Sequence, residues 1–177
     1  MLATASIGAI WSSCSPDFGI KGVLDRFQQI EPKLIFTADS YRYNGKHIDC
    51  LSKLKNILVD LPSIKKTIIV PFASDSNTNV IKNSMLWNDF LHKDSGDIIF
   101  EQLPFDHPLY IMYSSGTTGL PKSIVHSAGG TLIQHLKELK LHTDLIQNDK
   151  IFYFTTCGWM MWNWLISSLA VGATIVL

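Results

Sequence analysis

From Asp17 to Ile30 the apolar residues Ile20, Val23, Leu24, Phe27 and Ile30 recur at spacings of three and four, which puts them on one face of a helix. Pro32 holds the residue before it in extended geometry, so "KLIFTA" (33–38) reads as a buried strand. The unit then repeats. Ile48, Leu51, Leu54, Ile57 and Leu58 make a second amphipathic helix, Pro62 stops it, and "KTIIVP" (66–71) supplies a second strand. Amphipathic helices alternating with short continuous apolar runs predict an α/β fold, a layered and mainly parallel sheet with flanking helices.

The pattern lapses between residues 73 and 97, where Ser74, Asp75, Ser76, Asn77, Thr78 and Asn79 predict a loop before a short helix around Met85 to Leu91. "PLYIMY" (108–113) is a buried strand that runs directly into a glycine-rich loop. "SIVHS" (123–127) resumes extended structure, and Leu132, Ile133, Leu136 and Leu139 mark the helix after it. The loop therefore sits at a strand end, where open α/β sheets collect their ligands. Residues 151–177 carry no charged side chain and are long enough to span a bilayer. The β-prone start "IFYFTT", the break at Gly158, Asn163 in mid-segment and Gly172 before "ATIVL" favour strand, loop, buried helix and strand over a membrane helix. Both chain ends fall within apolar patterns, so residues 1–177 are expected to be one incomplete domain whose missing part covers the terminal strand.

Composition narrows the partners. With 46% hydrophobic and 17% charged residues, the 177-residue chain has the make-up of a globular interior. Fifteen basic residues balance fifteen acidic ones, and the lysines are dispersed, which leaves no electrostatic footprint for nucleic acid. Cys14, Cys50 and Cys157 are odd in number and widely spaced, the usage of reduced thiols in a cytoplasm rather than of a disulfide frame or a zinc site. No basic segment followed by an apolar one and a cleavage site opens the chain, so a cytoplasmic location is expected.

The strongest chemistry lies in "YSSGTTGLPK", residues 113–122. Gly116 and Gly119 allow backbone N–H groups to approach anionic oxygens closely, Ser114, Ser115, Thr117 and Thr118 add hydroxyl donors, and Lys122 brings a mobile positive charge. Such donors suit a polyphosphate held while another phosphorus is attacked. A Walker loop sets its lysine directly after the second glycine, whereas here Leu120 and Pro121 intervene.

With this spacing the motif resembles the phosphate loop of the adenylate-forming superfamily, which includes acyl-CoA synthetases, luciferases and peptide-synthetase adenylation domains. The resemblance implies that Ser114, Ser115, Gly116, Thr117, Thr118, Gly119 and Lys122 hold the β- and γ-phosphates of MgATP while a carboxylate attacks the α-phosphate. It makes Lys122, Thr117 and Thr118 the residues closest to the chemistry. "SPDFGIKGVLDRFQQIEPKLIFTAD", "YRYNGK" and "TTCGWMMWNWLISSLAVGAT" are further similar to the acyl-CoA synthetase branch that activates acetoacetate. The implied reaction consumes acetoacetate, ATP and CoA and yields acetoacetyl-CoA, AMP and pyrophosphate. Another short-chain acid, or an inactive remnant, is the alternative.

The same resemblance gives two more stretches roles. Arg42 and Lys46 in "YRYNGK" stand where relatives contact the phosphates of CoA, although a solvated turn would also carry two cations. Gly158 and Trp159 match a Gly-Trp pair of the acyl pocket, with Met160 and Met161 as pliable side chains shaping it for a short keto acid. His126 is expected to be structural, since an acid already ionised at neutral pH needs no base. His135 and His142 are too far apart on their helix for metal ligation at i, i+4, and no metal ligands are expected here. In the family the Mg²⁺-binding glutamate, the ribose-binding aspartate and a mobile C-terminal domain with its adenylation lysine lie beyond Leu177. The 177 residues alone are therefore expected to be inactive.

Overall fold

The computed structural model describes residues 1–73, 81–92, 96–114 and 119–177, which divide into two compact units. One joins Met1–Ser15 to Ile98–Leu177, and the other is Pro16–Asp97. Six short helices and ten strands are found among these residues, and four of the six strand pairings are parallel.

The chain begins with α1 (Leu2–Ser6) and β1 (Trp11–Ser12) and then enters the Pro16–Asp97 unit. There α2 (Ile20–Phe27) leads to β2 (Leu34–Ala38), as the periodicity predicts, but starts three residues later than Asp17 and stops before Ile30. The strands β3 (Ser40–Tyr43) and β4 (Lys46–Asp49) follow as an antiparallel hairpin. Its turn holds Asn44 at φ 48° and Gly45 at φ 73°, the left-handed pair that suits the twist of two-residue hairpins. The helix α3 (Cys50–Val59) is capped by Asp49, whose carboxylate accepts from the Ser52 backbone N–H at 3.1 Å and from the Ser52 hydroxyl. Those bonds lower the Asp49 pKa. Leu51, Leu54 and Ile57 of α3 are buried, as are Ile68 and Ile69 of β5 (Lys66–Val70).

β5 lies between β2 and β6 (Ser84–Leu86), parallel to both. Asp39 fastens the ends of β2 and β5: its buried carboxylate accepts from the backbone N–H groups of Ser40 (2.6 Å), Phe72 (2.9 Å) and Ala73 (3.2 Å). The helix expected around Met85 to Leu91 is only α4 (Trp87–Phe90). Met85 and Leu86 are drawn into β6 because Ile68 and Ile69 offer an open strand edge, and Trp87 and Phe90 turn back onto Phe36. The polar stretch Ser74–Asn79 lies outside the described residues.

The other unit is built on β7 (Pro108–Ser114), which has β1 on one side, parallel, and β8 (Lys122–Ser127) on the other, antiparallel. α5 (Ala128–Lys137) follows, and its last turns widen into a π-helical segment, Glu138–His142. Its buried face is Thr131, His135 and Leu139, whereas Leu132 and Ile133 are exposed, so the apolar residues expected to face the core do so only in part. The uncharged stretch from 151 onward resolves into β9 (Lys150–Ile151), α6 (Met160–Ser167), a 3-10 turn (Ser168–Val171) and β10 (Thr174–Ile175). Among the described residues no helix is long and apolar enough to cross a membrane. Leu139, Leu145, Ile151, Leu165, Val171 and Ala173 form this unit's core. The strand expected over "IFYFTT" stops at Ile151, because β10 pairs only with Lys150 and Ile151.

Candidate active site

The loop strand and its return strand define the first half of the site. β7 ends on Ser114 and β8 begins on Lys122, and the two are register partners. Directly opposed residues of an antiparallel pair share a sheet face with Cβ atoms about 5 Å apart. The Ser114 hydroxyl and the Lys122 stem therefore rise together at the mouth of the 115–121 connection. Gly119 has φ +113°, a conformation open to glycine, and Pro121 stiffens the step into β8. Ser115, Gly116, Thr117 and Thr118 lie outside the described residues.

The second half is the turn before α6. Gly158 and Trp159 precede the helix, Met160 and Met161 form its first positions, and the Trp159 ring is 64% exposed. A Cβ on Gly158 would sit 3.0 Å from the backbone nitrogen of Ser15, so what favours glycine there is the close approach of another segment and not its own dihedrals.

That segment, Trp11–Ser15, links the two halves within one unit. The Ser12 hydroxyl reaches the Ile111 carbonyl at 3.0 Å and the Tyr113 hydroxyl at 3.2 Å, on the strand that carries Ser114. The next residue turns the other way: the Ser13 hydroxyl donates to the Cys157 carbonyl at 2.5 Å, and Trp11 stacks on Trp162 of α6 at 6.4 Å. A direct tie lies beneath, where Asn163 Nδ2 of α6 donates to Met112 Sδ of β7 at 2.9 Å. Neither the strap nor this tie leaves a periodic trace in the sequence. The one signal was a polar residue, Asn163, inside an uncharged run.

His126 lies on β8 with its ring 5.1 Å from that of Tyr110, and burial lowers its pKa. His135 is buried on α5 with Nδ1 2.8 Å from the Ser167 hydroxyl. The Ser167 hydroxyl also lies 3.1 Å from the Asn163 carbonyl, so it sits between His135 and the α6 backbone. Burial first, then the neighbouring His126, lowers the His135 pKa, while Glu138 acts in the opposite direction. His142 instead faces Glu138 at 3.6 Å. Among the described residues no three His, Cys, Asp or Glu side chains gather as a metal site would require.

Arg42 and Lys46 belong to the Pro16–Asp97 unit, on the two arms of the β3–β4 hairpin. Arg42 opposes His47 and Lys46 opposes Tyr43 in the register, and both cations are exposed.

The family model described as "AMP-binding enzyme" matches residues 1–177, the whole chain. The chain belongs to the AMP-binding enzyme family. Among the relatives of this AMP-binding chain is an acetoacetyl-CoA synthetase from Gallus gallus, 59% identical over 184 residues, an alignment covering 100% of this chain and 28% of that protein. A malonamoyl-CoA synthetase from Penicillium aethiopicum is 45% identical over 185 residues, covering 100% of this chain and 26% of that protein. The solved structure of an acetoacetyl-CoA synthetase from Streptomyces lividans superposes with a TM-score of 0.92 at 48% identity, over 99% of this chain and 27% of that one. The AMP-binding chain thus spans about a quarter of the length of the relatives it matches.

Proposed function

We propose that this chain supplies the phosphate loop and acid pocket of an ATP-dependent acid–thiol ligase that activates acetoacetate and transfers it to CoA. The observation that carries the reading is the pairing of Ser114 with Lys122 at the base of the 115–121 connection. The Gly158–Met161 turn is fastened to the same strand.

The chemistry asks for positioning and charge stabilisation rather than a protein nucleophile. A carboxylic acid with a pKa of about 4 is ionised at neutral pH, so its oxygen attacks the α-phosphorus of MgATP without a base. The bond from that phosphorus to the bridging oxygen breaks and pyrophosphate leaves. The Lys122 ammonium and the hydroxyl and N–H donors of Ser114, Ser115, Gly116, Thr117, Thr118 and Gly119 stabilise its growing charge. The metal arrives with the nucleotide as part of the substrate. The CoA thiol then attacks the acyl carbon and AMP departs, with Arg42 and Lys46 held to be the partners of the CoA phosphates. Trp159, Met160 and Met161 shape the acid pocket. We place residues 1–177 within an adenylation domain working with a mobile C-terminal domain, and the water-soluble substrates suit the cytoplasm.

Acetoacetate and malonamate each carry a carbonyl β to the carboxylate, and the names of the two kinds of relative support an acid of that shape. ATP–pyrophosphate exchange by the complete polypeptide with acetoacetate, malonamate and acetate tests both levels. Acetoacetate should give the highest kcat/KM, and Lys122→Met should lower the exchange kcat by about 10²-fold or more, the usual loss of one charge-stabilising donor. A preference for another acid would remove acetoacetate as the substrate. Exchange with none of the three would sink the adenylation reading itself.

A further inference from the structure

Asn163 is a buried amide that neither packing nor hydrogen bonding accounts for. It is 2% exposed on a helix whose sequence is otherwise "MMW-WLIS", and its Oδ1 has no hydrogen-bond partner among the described residues. Among the described residues its Nδ2 donates only to a thioether, a weak acceptor. A leucine has the same branched side-chain skeleton, though bulkier, and would desolvate no amide, so stability does not explain the residue. Its location does. Asn163 lies one helical turn after Trp159, and Met112 lies two residues before Ser114 on β7, so that Met112 and Ser114 share a sheet face. Their partners across the register, Ile124 and Lys122, share it too. The amide therefore presses the acid-pocket helix against the sheet face that bears Ser114 and Lys122.

We propose that Asn163 is a positioning residue for adenylation: through Met112 it sets the spacing between the Gly158–Met161 turn and the end of the phosphate-loop strand. The inference rests on the proposed function, since it assumes the acid on one side of this contact and the nucleotide phosphates on the other. Acid oxygen and α-phosphorus must meet in line at near-contact distance, and a shift of an ångström between intact half-sites costs turnover without costing binding.

The test is Asn163→Leu in the complete polypeptide, followed by ATP–pyrophosphate exchange and thermal melting. The exchange kcat should fall about tenfold while the KM for acid and for ATP each stay within about twofold, the pattern of a contact that matters only in the transition state. The Tm should stay within about 4 °C of the wild type, because removal of an unsatisfied buried group offsets the bulk of the leucine. Adding Met112→Leu should cause no further loss in kcat, since both changes cut one contact. An unchanged kcat, a larger fall in Tm, or losses that multiply in the double variant would each overturn the assignment. A wild type that exchanges with no acid would instead remove the proposed function on which it stands.

Discussion

Replacing Gly158 by alanine perturbs the strap at one defined point. The added Cβ would lie 3.0 Å from the Ser15 nitrogen, 3.7 Å from the Cys14 carbonyl carbon and 3.7 Å from the Ser15 Cβ. Two of these neighbours are backbone atoms, which cannot rotate away as the end of a side chain would. Gly158 is not in the left-handed region, so the whole cost is steric. Relief requires the strap and the turn to separate by a few tenths of an ångström, which stretches the adjacent Ser13–Cys157 hydrogen bond. Overpacking of this kind costs about 1–3 kcal/mol, and a weakened hydrogen bond adds about 1 kcal/mol. Denaturant unfolding of Gly158→Ala should therefore show a loss of about 2–4 kcal/mol without a change in slope. The acid KM in pyrophosphate exchange should rise, because Trp159 moves with the turn. Gly45→Ala is the control: its Cβ meets nothing, so only the positive φ of the hairpin turn penalises it, by about 1 kcal/mol, and the acid KM stays fixed. If Gly158→Ala unfolds at the wild-type midpoint, the close approach of strap and turn is refuted.

Arg42→Ala with Lys46→Ala should raise the KM for CoA, with a weaker salt dependence, and leave pyrophosphate exchange intact; an unchanged CoA KM at low salt would exclude the hairpin from CoA binding. Trp159→Ala should raise the acid KM at little cost in stability, since the ring is largely exposed, and a lost fold would contradict that exposure. Burial lowers the pKa of both His126 and His135, so in the folded protein they resist protonation that the unfolded chain accepts near pH 6.5. Stability is then complete above about pH 6.5 and declines as the pH falls below it. Melting across that window should show the decline, reduced in His135→Gln, whereas a flat profile would place both rings in water.

What the chain disclosed in advance was what is local. The order α2, β2, α3, β5 between residues 17 and 71 follows from spacings of three and four and from two prolines, but Ile48 pairs with Tyr41 in β4 instead of opening α3, and Leu34 and Phe36 leave β2 partly exposed where a buried strand was expected. The proposed phosphate loop could be named by residue type alone, since Ser114 and Lys122 flank the 115–121 connection whatever the rest of the fold does. The β3–β4 hairpin also carried a local signal, Asn44-Gly45, which reading for charge at Arg42 and Lys46 passed over. The ties that turn loop and pocket into one site are different in kind. Ser13 reaches Cys157 across 144 positions and Asn163 reaches Met112 across 51, and neither pairing leaves a periodic trace. Apolar content misled for the same reason. Leu132 and Ile133 promised the buried face of α5, yet Thr131 and His135 occupy it, because α6 presents Ser167 there and a hydroxyl selects a polar partner. Chemistry-bearing residues could be named from their neighbours in the chain, but the spacing between them is set by buried polar side chains such as Asn163. A sequence shows such a residue only as an interruption, and so an unexplained polar interruption in an apolar helix beside a site is where a positioning role should be sought.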